Sequence, residues 1–277
     1  MQKLYGLLGE KLGHSLSPKI HFEIFKELNL DCYYHLFEVK KNSLEDALRG
    51  FKALNIKGIN VTIPYKIDVM NLLDEVSKEA QKIGAVNTVH FIDNRAVGYN
   101  TDYYGFGMML DKFSIPVKNK QAFVLGTGGA SKAVIQYLTD NGIRDITMVS
   151  RDVSERCKKI KDLKVISYSD MECDNSGDII INCTLCGMYP NIECSPVKKE
   201  CISKFEAAVD LIYNPKKTRF LSYAEECKVK AVNGLYMLVA QAVKAEEIWN
   251  NTSIEADSTD RIYNKIDGLI LCKSIFK

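Results

Sequence analysis

Apolar and polar positions in this chain switch between two spacings. Leu4-Tyr5-Gly6-Leu7-Leu8-Gly9 is a short apolar run of strand length, whereas Ile20, Ile24, Phe25 and Leu28 fall on one helix face. Ser17-Pro18 just before that face predicts an N-cap followed by proline at the first helical position. Asp31 to Val39, rich in Tyr, His and Phe, predicts a strand. Ser43 then opens a second helix, with Asp46 placed for a contact like that of a capping box. Gly58 to Ile63 predicts a β-rich run that Pro64 stops, and a helix follows from Lys66 to Leu73. Ala85 to Ile92 and Arg95 to Tyr99 predict two strands joined by the turn Asp93-Asn94, and a helix runs from Asp102 to Phe113.

After Ser114-Ile115-Pro116 the pattern changes. Gln121 to Leu125 predicts a buried strand, Gly126-Thr127-Gly128-Gly129-Ala130-Ser131 a glycine-rich turn, Lys132 to Asn141 a helix ending at Gly142, and Asp145 to Ser150 a second strand. Later strands are predicted at Val165-Ile166, Ile179 to Cys183 and Ala207 to Asp210, and long helices at Gly234 to Trp249 and Ile262 to Phe276. The class is therefore α/β, and 277 residues are enough for two cores.

Composition narrows the classes. The net charge is +2 and the basic residues are scattered, which gives no electrostatic case for nucleic acid or a membrane surface. No apolar run reaches the roughly 20 residues of a membrane span, and the first ten residues break off too early for a signal-peptide core. Nine cysteines without a secretion signal predict reduced thiols and a cytoplasmic setting. Cys183-Thr184-Leu185-Cys186 has redox or zinc spacing, but it follows an apolar strand and has neither a second pair nor a histidine set, so packing is the favoured role.

Two segments carry chemistry. A strand ending in Asn60-Val61-Thr62-Ile63-Pro64-Tyr65-Lys66 delivers a lysine to a strand's carboxyl end, where open α/β sheets collect ligands. Such a lysine transfers protons if its surroundings tune it; otherwise it is a solvated surface group. The second is the glycine turn between strand and helix, which lets a pyrophosphate approach backbone N–H groups. At the end of the next strand stands Ser150-Arg151-Asp152, where NAD sites place an acid. The serine and the guanidinium suit a 2′-phosphate, and hence NADP, while Asp152 would repel one.

Taken together, seven segments resemble the shikimate dehydrogenase family, in its order and over nearly the whole chain. They are Gly13-His14-Ser15-Leu16-Ser17-Pro18, Asn60 to Lys66, Gly84-Ala85-Val86-Asn87-Thr88, Gly98-Tyr99-Asn100-Thr101-Asp102, Gly126 to Ala130, Asp210-Leu211-Ile212-Tyr213, and Gly234 to Gln241. The resemblance implies an N-terminal α/β substrate-binding and catalytic domain at 1–102 and a Rossmann-type NADP-binding domain at 103–236. It further implies C-terminal helices at 237–277 that return to the first lobe, and an active site in the cleft between lobes. The implied reaction is the NADPH-dependent reduction of 3-dehydroshikimate to shikimate, on the route to aromatic amino acids.

Residue by residue, the resemblance implies Lys66 and Asp102 as the catalytic pair, and Ser15 and Ser17, assisted by Tyr213, as receivers of the substrate carboxylate. Thr62, Asn87 and Gln241 would hold ring hydroxyls, together with Asp102. Gly126, Thr127, Gly128, Gly129 and Ala130 would cradle the pyrophosphate, Ser150 and Arg151 the ribose end, and Leu211 and Gly234 the nicotinamide. No metal is implied, and a homodimer is left open. Structural alternatives stand beside these roles: Ser17 and Asp102 as helix caps, Asn87 and Asn100 as turn residues, His14 as structural. The chain departs from the family in having Ser150-Arg151-Asp152 for Asn-Arg-Thr, Leu185 and Cys186 for smaller or β-branched residues, and Leu211 for methionine. The alternatives are an NAD-preferring quinate/shikimate dehydrogenase, favoured by Asp152, and a non-catalytic metabolite- or dinucleotide-sensing module.

Overall fold

A computed structural model describes residues 2–13, 15–153, 163–172 and 175–275. His14 lies outside the described residues. The chain divides into two compact units, Met1–Gly105 with Val239–Lys277, and Phe106–Leu238.

The first unit is built on a six-stranded mixed sheet in the order β2-β1-β3-β5-β6-β4. Its strands are β1 (Lys3–Gly9), β2 (Cys32–Glu38), β3 (Gly58–Val61), β4 (Glu75–Val76), β5 (Thr88–Ile92) and β6 (Arg95–Tyr99). β1 lies parallel to β2 and to β3, β3 is antiparallel to β5, and β5 is antiparallel to β6. Helices α1 (Ser17–Glu27) and α2 (Leu44–Ala53) connect the parallel strands, α3 (Lys78–Ile83) precedes β5, and α4 (Thr101–Lys112) follows β6. The amphipathic α2 buries Leu44, Leu48 and Phe51 against Leu8, Ile56, Ile59 and Tyr65. The C-terminal helices, Leu235–Asn250 and Ala256–Ile275, place their residues from Val239 onward in this unit.

Three local expectations are corrected. α1 starts a residue earlier than the Ser17 cap predicts. The N-cap is Leu16, whose carbonyl accepts from Lys19 and Ile20, so Ser17 is already helical. Ser43 follows a 3-10 turn, Lys41–Ser43, and its side chain makes no cap bond. No α-helix begins at Lys66: the Lys66 carbonyl is taken by the Val86 N–H at 2.7 Å, which leaves it unavailable to a following turn. The chain there winds instead as a 3-10 helix, Asp68–Leu72.

The second unit carries a parallel six-stranded sheet ordered β12-β11-β10-β7-β8-β9. Its strands are β7 (Gln121–Leu125), β8 (Asp145–Val149), β9 (Lys164–Ile166), β10 (Ile179–Asn182), β11 (Ala207–Asp210) and β12 (Lys230–Val232). β10 and β11 are buried along their full length, as strands covered on both faces must be. Strand order reverses between β7 and β10, the place where a doubly wound sheet opens a crevice at its carboxyl edge. The glycine turn leaves β7 at that point and enters helix α5 (Gly129–Asp140). The result is the expected pairing of a mixed α/β lobe with a Rossmann-type lobe.

Candidate active site

In the first unit, Lys66 is fixed by its backbone before its side chain makes any contact. The Thr62 N–H bonds the Leu8 carbonyl, and the Tyr65 N–H bonds the Thr62 carbonyl, both at 2.9 Å. Tyr65 is fully buried and donates its hydroxyl to the Val39 carbonyl. With its own carbonyl held by Val86, Lys66 sends its ammonium to Asp102, with Nζ 2.5 Å from Oδ2. The two side chains are 15% and 9% exposed. Removing one partner of so enclosed a pair strands a buried charge, at a cost of about 3–5 kcal/mol.

Asp102 sits in the first turn of helix α4 (Thr101–Lys112), where a carboxylate meets the positive end of the helix dipole. It does not cap the helix. That task falls to Asn100, whose Oδ1 accepts the Tyr103 N–H at 3.3 Å while its Nδ2 donates to the Ala85 carbonyl at 2.9 Å.

Asn87 joins these parts. Its Nδ2 donates to Asp102 Oδ1 at 2.9 Å and to Thr101 Oγ1 at 3.0 Å, and its Oδ1 accepts the Thr101 N–H at 2.7 Å and the Thr88 hydroxyl at 3.1 Å. Asp102 thus has one oxygen on an amide and the other on the ammonium. Gln241 lies beside them, its Oε1 accepting from Thr101 Oγ1 at 3.3 Å. Of the residues expected around a substrate ring, Lys66, Asn87, Asp102 and Gln241 therefore form one connected group.

Ser15 and Ser17 stand together at the start of α1, with the Ser17 N–H donating to Ser15 Oγ at 3.2 Å. Ser17 acts on the phenol of Tyr34, pulling its pKa down against the larger upward push of burial. Thr62 follows β3, and a side chain added at Gly9 would come within 2.7 Å of its methyl group. Sequence reasoning missed three further residues: Tyr34, Thr88 and Thr101. The Tyr34 hydroxyl donates to Asn60 Oδ1 at 2.7 Å, Asn60 Nδ2 donates to Thr88 Oγ1 at 3.0 Å, and Thr88 and Thr101 share a hydrogen bond at 3.1 Å. The available signal was a polar side chain inside an apolar strand, since Asn60 and Thr88 face each other across β3 and β5.

In the second unit, Gly126 adopts φ +98°, a conformation that favours glycine, and any side chain there would meet Thr184. Gly128, at the cap of α5, has open space where a side chain would project. The α5 N-terminus therefore presents its backbone N–H groups beside an open cradle that suits a pyrophosphate. At the end of β8, the Ser150 hydroxyl accepts the Asp152 N–H at 3.1 Å, and Arg151 and Asp152 are exposed. Leu211 and Gly234 meet directly: a Cβ on Gly234 would fall 2.1 Å from the Leu211 carbonyl oxygen. Tyr213 is half-buried in the segment after β11.

That segment is held by Asp210, which accepts from Thr218 Oγ1 at 2.6 Å, Asn182 Nδ2 at 3.0 Å and the Ile212 N–H at 3.1 Å. Burial outweighs these bonds and lifts the Asp210 carboxyl to about 7. Burial also pushes the Cys183 thiol well up, and the Cys186 thiol up, away from the reactive thiolate form. Among the described residues no histidine, cysteine and carboxylate cluster could hold a metal ion, and no helix is long and apolar enough to cross a membrane.

Comparison with known proteins bears on both units. The profile of the shikimate dehydrogenase substrate binding domain matches residues 7–89. The shikimate dehydrogenase (NADP(+)) of Clostridium perfringens is 48% identical over 266 residues, covering 95% of this chain and 98% of its own. Among solved structures, a chorismate mutase/shikimate 5-dehydrogenase fusion protein from Clostridium acetobutylicum is 51% identical with TM-score 0.95, covering 98% of this chain and 99% of that one. Shikimate 5-dehydrogenase from Listeria monocytogenes, solved with shikimate and NAD, is 31% identical with TM-score 0.81, covering 94% and 96%.

Proposed function

This chain belongs to the shikimate dehydrogenase family, and we propose that it catalyses the reversible NADPH-dependent reduction of 3-dehydroshikimate to shikimate. The observation that carries this reading is the Lys66–Asp102 pair, enclosed and hydrogen-bonded to Asn87. The substrate's 3-keto oxygen must gain a proton as the carbon is reduced, and the Lys66 ammonium is the donor. Asp102 holds that ammonium in place and charged, and Asn87 keeps the carboxylate from turning. In the reverse direction the same lysine, as the free amine, takes the proton from the alcohol.

In this reading residues 1–102 form the substrate-binding and catalytic domain, 103–236 the NADP-binding domain, and 237–277 the helices that complete the first. Ser15 and Ser17 receive the substrate carboxylate with Tyr213, and Thr62, Asn87, Asp102 and Gln241 hold ring hydroxyls. The glycine cradle fits the cofactor, with Gly126 to Ala130 on the pyrophosphate, Ser150 and Arg151 at the ribose end, and Leu211 and Gly234 beside the nicotinamide. When bound, the cofactor supplies or accepts a hydride at the substrate carbon. Arg151, exposed at the end of β8, matches a 2′-phosphate, which supports NADP.

The test pairs a cofactor swap with a variant. Shikimate oxidation is followed with NADP+ and with NAD+, with quinate run in parallel. Lys66→Ala should lower kcat by at least about 10²–10⁴-fold while leaving the unfolding transition cooperative. A variant that keeps most of its rate removes Lys66 from the proton step. NAD-preferring quinate/shikimate dehydrogenase is the second reading. It rests on Asp152, whose charge opposes a 2′-phosphate, and on the NAD-bound Listeria relative. A higher kcat/KM with NAD+ and quinate would establish it.

A further inference from the structure

The hydrogen bonds around Tyr34 run past the residues assigned to substrate and give this tyrosine a definite place in the reaction. We propose that Tyr34 is a positioning residue, its hydroxyl heading a line of hydrogen bonds to the Asn87–Asp102–Lys66 group, the end of the substrate site that moves the proton. This rests on the proposed function for what that group does. The connection itself is geometric.

From the Tyr34 hydroxyl the line runs 2.7 Å to Asn60 Oδ1, 3.0 Å from Asn60 Nδ2 to Thr88 Oγ1, and 3.1 Å from Thr88 Oγ1 to Asn87 Oδ1. It closes with 2.9 Å from Asn87 Nδ2 to Asp102 Oδ1 and 2.5 Å between Asp102 Oδ2 and Lys66 Nζ. Every group between the two ends is an amide or a hydroxyl, so each bond constrains the direction of the next. A phenol that donates to Asn60 Oδ1 turns Asn60 Nδ2 toward Thr88. The threonine hydroxyl then gives its proton to Asn87 Oδ1, which leaves Asn87 Nδ2 for Asp102. The Thr101 N–H, 2.7 Å from Asn87 Oδ1, enforces the same orientation.

The direction at the Tyr34 end is secure. Tyr34 is partly exposed as a residue, yet the dry surroundings of its hydroxyl raise its pKa well above the ordinary tyrosine value, and the Glu246 carboxylate adds to the effect. The phenol therefore stays a donor at working pH. Its ring is held in place by His21, stacked at 3.8 Å between centroids with planes 11° apart. His21 is fully buried, its Nδ1 2.7 Å from Glu246 Oε1, and Asn250 Nδ2 holds the other Glu246 oxygen at 2.9 Å. Tyr34 is thus fixed from α1 and from helix Leu235–Asn250, while its hydroxyl faces the site.

Tyr34→Phe tests the idea, because it keeps the ring on His21 and removes only the hydroxyl. Purified full-length wild type, Tyr34→Phe and Lys66→Ala are assayed for oxidation of shikimate and of quinate, whose carboxylate leaves a saturated ring carbon in another direction. The expected result for Tyr34→Phe is a roughly tenfold or greater fall in kcat/KM for shikimate, about 1.4 kcal/mol at tenfold, visible in kcat as well as KM. The fall should be of similar size for quinate, and NADP+ affinity should stay at the wild-type value. Asn60→Asp replaces the amide donor one step along the line and should give the same pattern, which keeps the test open if Tyr34→Phe folds poorly. Wild-type kcat/KM in both variants overturns the proposal. So does a loss of rate that is accounted for by a loss of folded protein. An inactive wild type would instead refute the proposed function, which separates the two failures.

Discussion

Asp210 shows how one buried side chain can govern the behaviour of a segment. Its carboxyl is lifted to about 7 by burial while it gathers Thr218, Asn182 and the Ile212 N–H. A folded-state value above the unfolded one means that protonation favours the fold. The stabilisation is fully present below the ordinary carboxylate range and is lost as pH rises through about 7, by on the order of a few kcal/mol. Asp210→Asn should abolish this slope, because an amide has no proton to lose over this pH range. Thermal unfolding between about pH 4 and pH 8 should therefore show the variant gaining on wild type as pH rises, and parallel curves would rule the titration out. At this scale the sequence is an uneven guide. Lys66 and Asp102 stand in contiguous motifs and are legible, whereas Tyr34, Thr88 and Thr101 become functional candidates only through partners far away along the chain.

Elements were legible where burial leaves a long signature. β7 and β11 match the sequence expectation to the residue, since buried parallel strands are nearly unbroken apolar runs. The two-residue β4, the three-residue β12 and the short helices Lys78–Ile83 and Arg219–Glu226 were not, because they span too few residues to set up a period. The cap of the last of these was present in the sequence as Thr218, whose hydroxyl accepts the Leu221 N–H at 3.3 Å. One contact between elements explains a glycine. A side chain at Gly58 on β3 would fall 2.2 Å from Trp249 Nε1, the group that donates to the Val89 carbonyl at 3.0 Å. Trp249 also stacks on Tyr5, with ring centroids 4.8 Å apart. Gly58→Ala should displace the indole and destabilise the first unit by roughly 1–3 kcal/mol, read as a lower denaturation midpoint. An unchanged midpoint would mean that the tryptophan has room to move.

At the scale of the whole molecule, the two units differ in how the chain builds them. The second is contiguous, Phe106–Leu238, and the first is assembled from both ends. Gln241, Glu246 and Trp249 all reach the first unit from beyond the second. A chain ending at Leu238 should therefore keep a protease-resistant second unit and lose the first, as limited proteolysis with mass spectrometry would report. Equal resistance of both would show that the terminal helices are dispensable.

That discontinuity also bears on synthesis. As the nascent chain leaves the ribosome, the second unit becomes available complete, whereas the first waits for residues 239–277 with the surface around Tyr5 uncovered. The order of folding is then the reverse of the order of emergence. A message cut short before residue 239 would yield a protein with its second unit formed and the unit that carries the Lys66–Asp102 pair never completed.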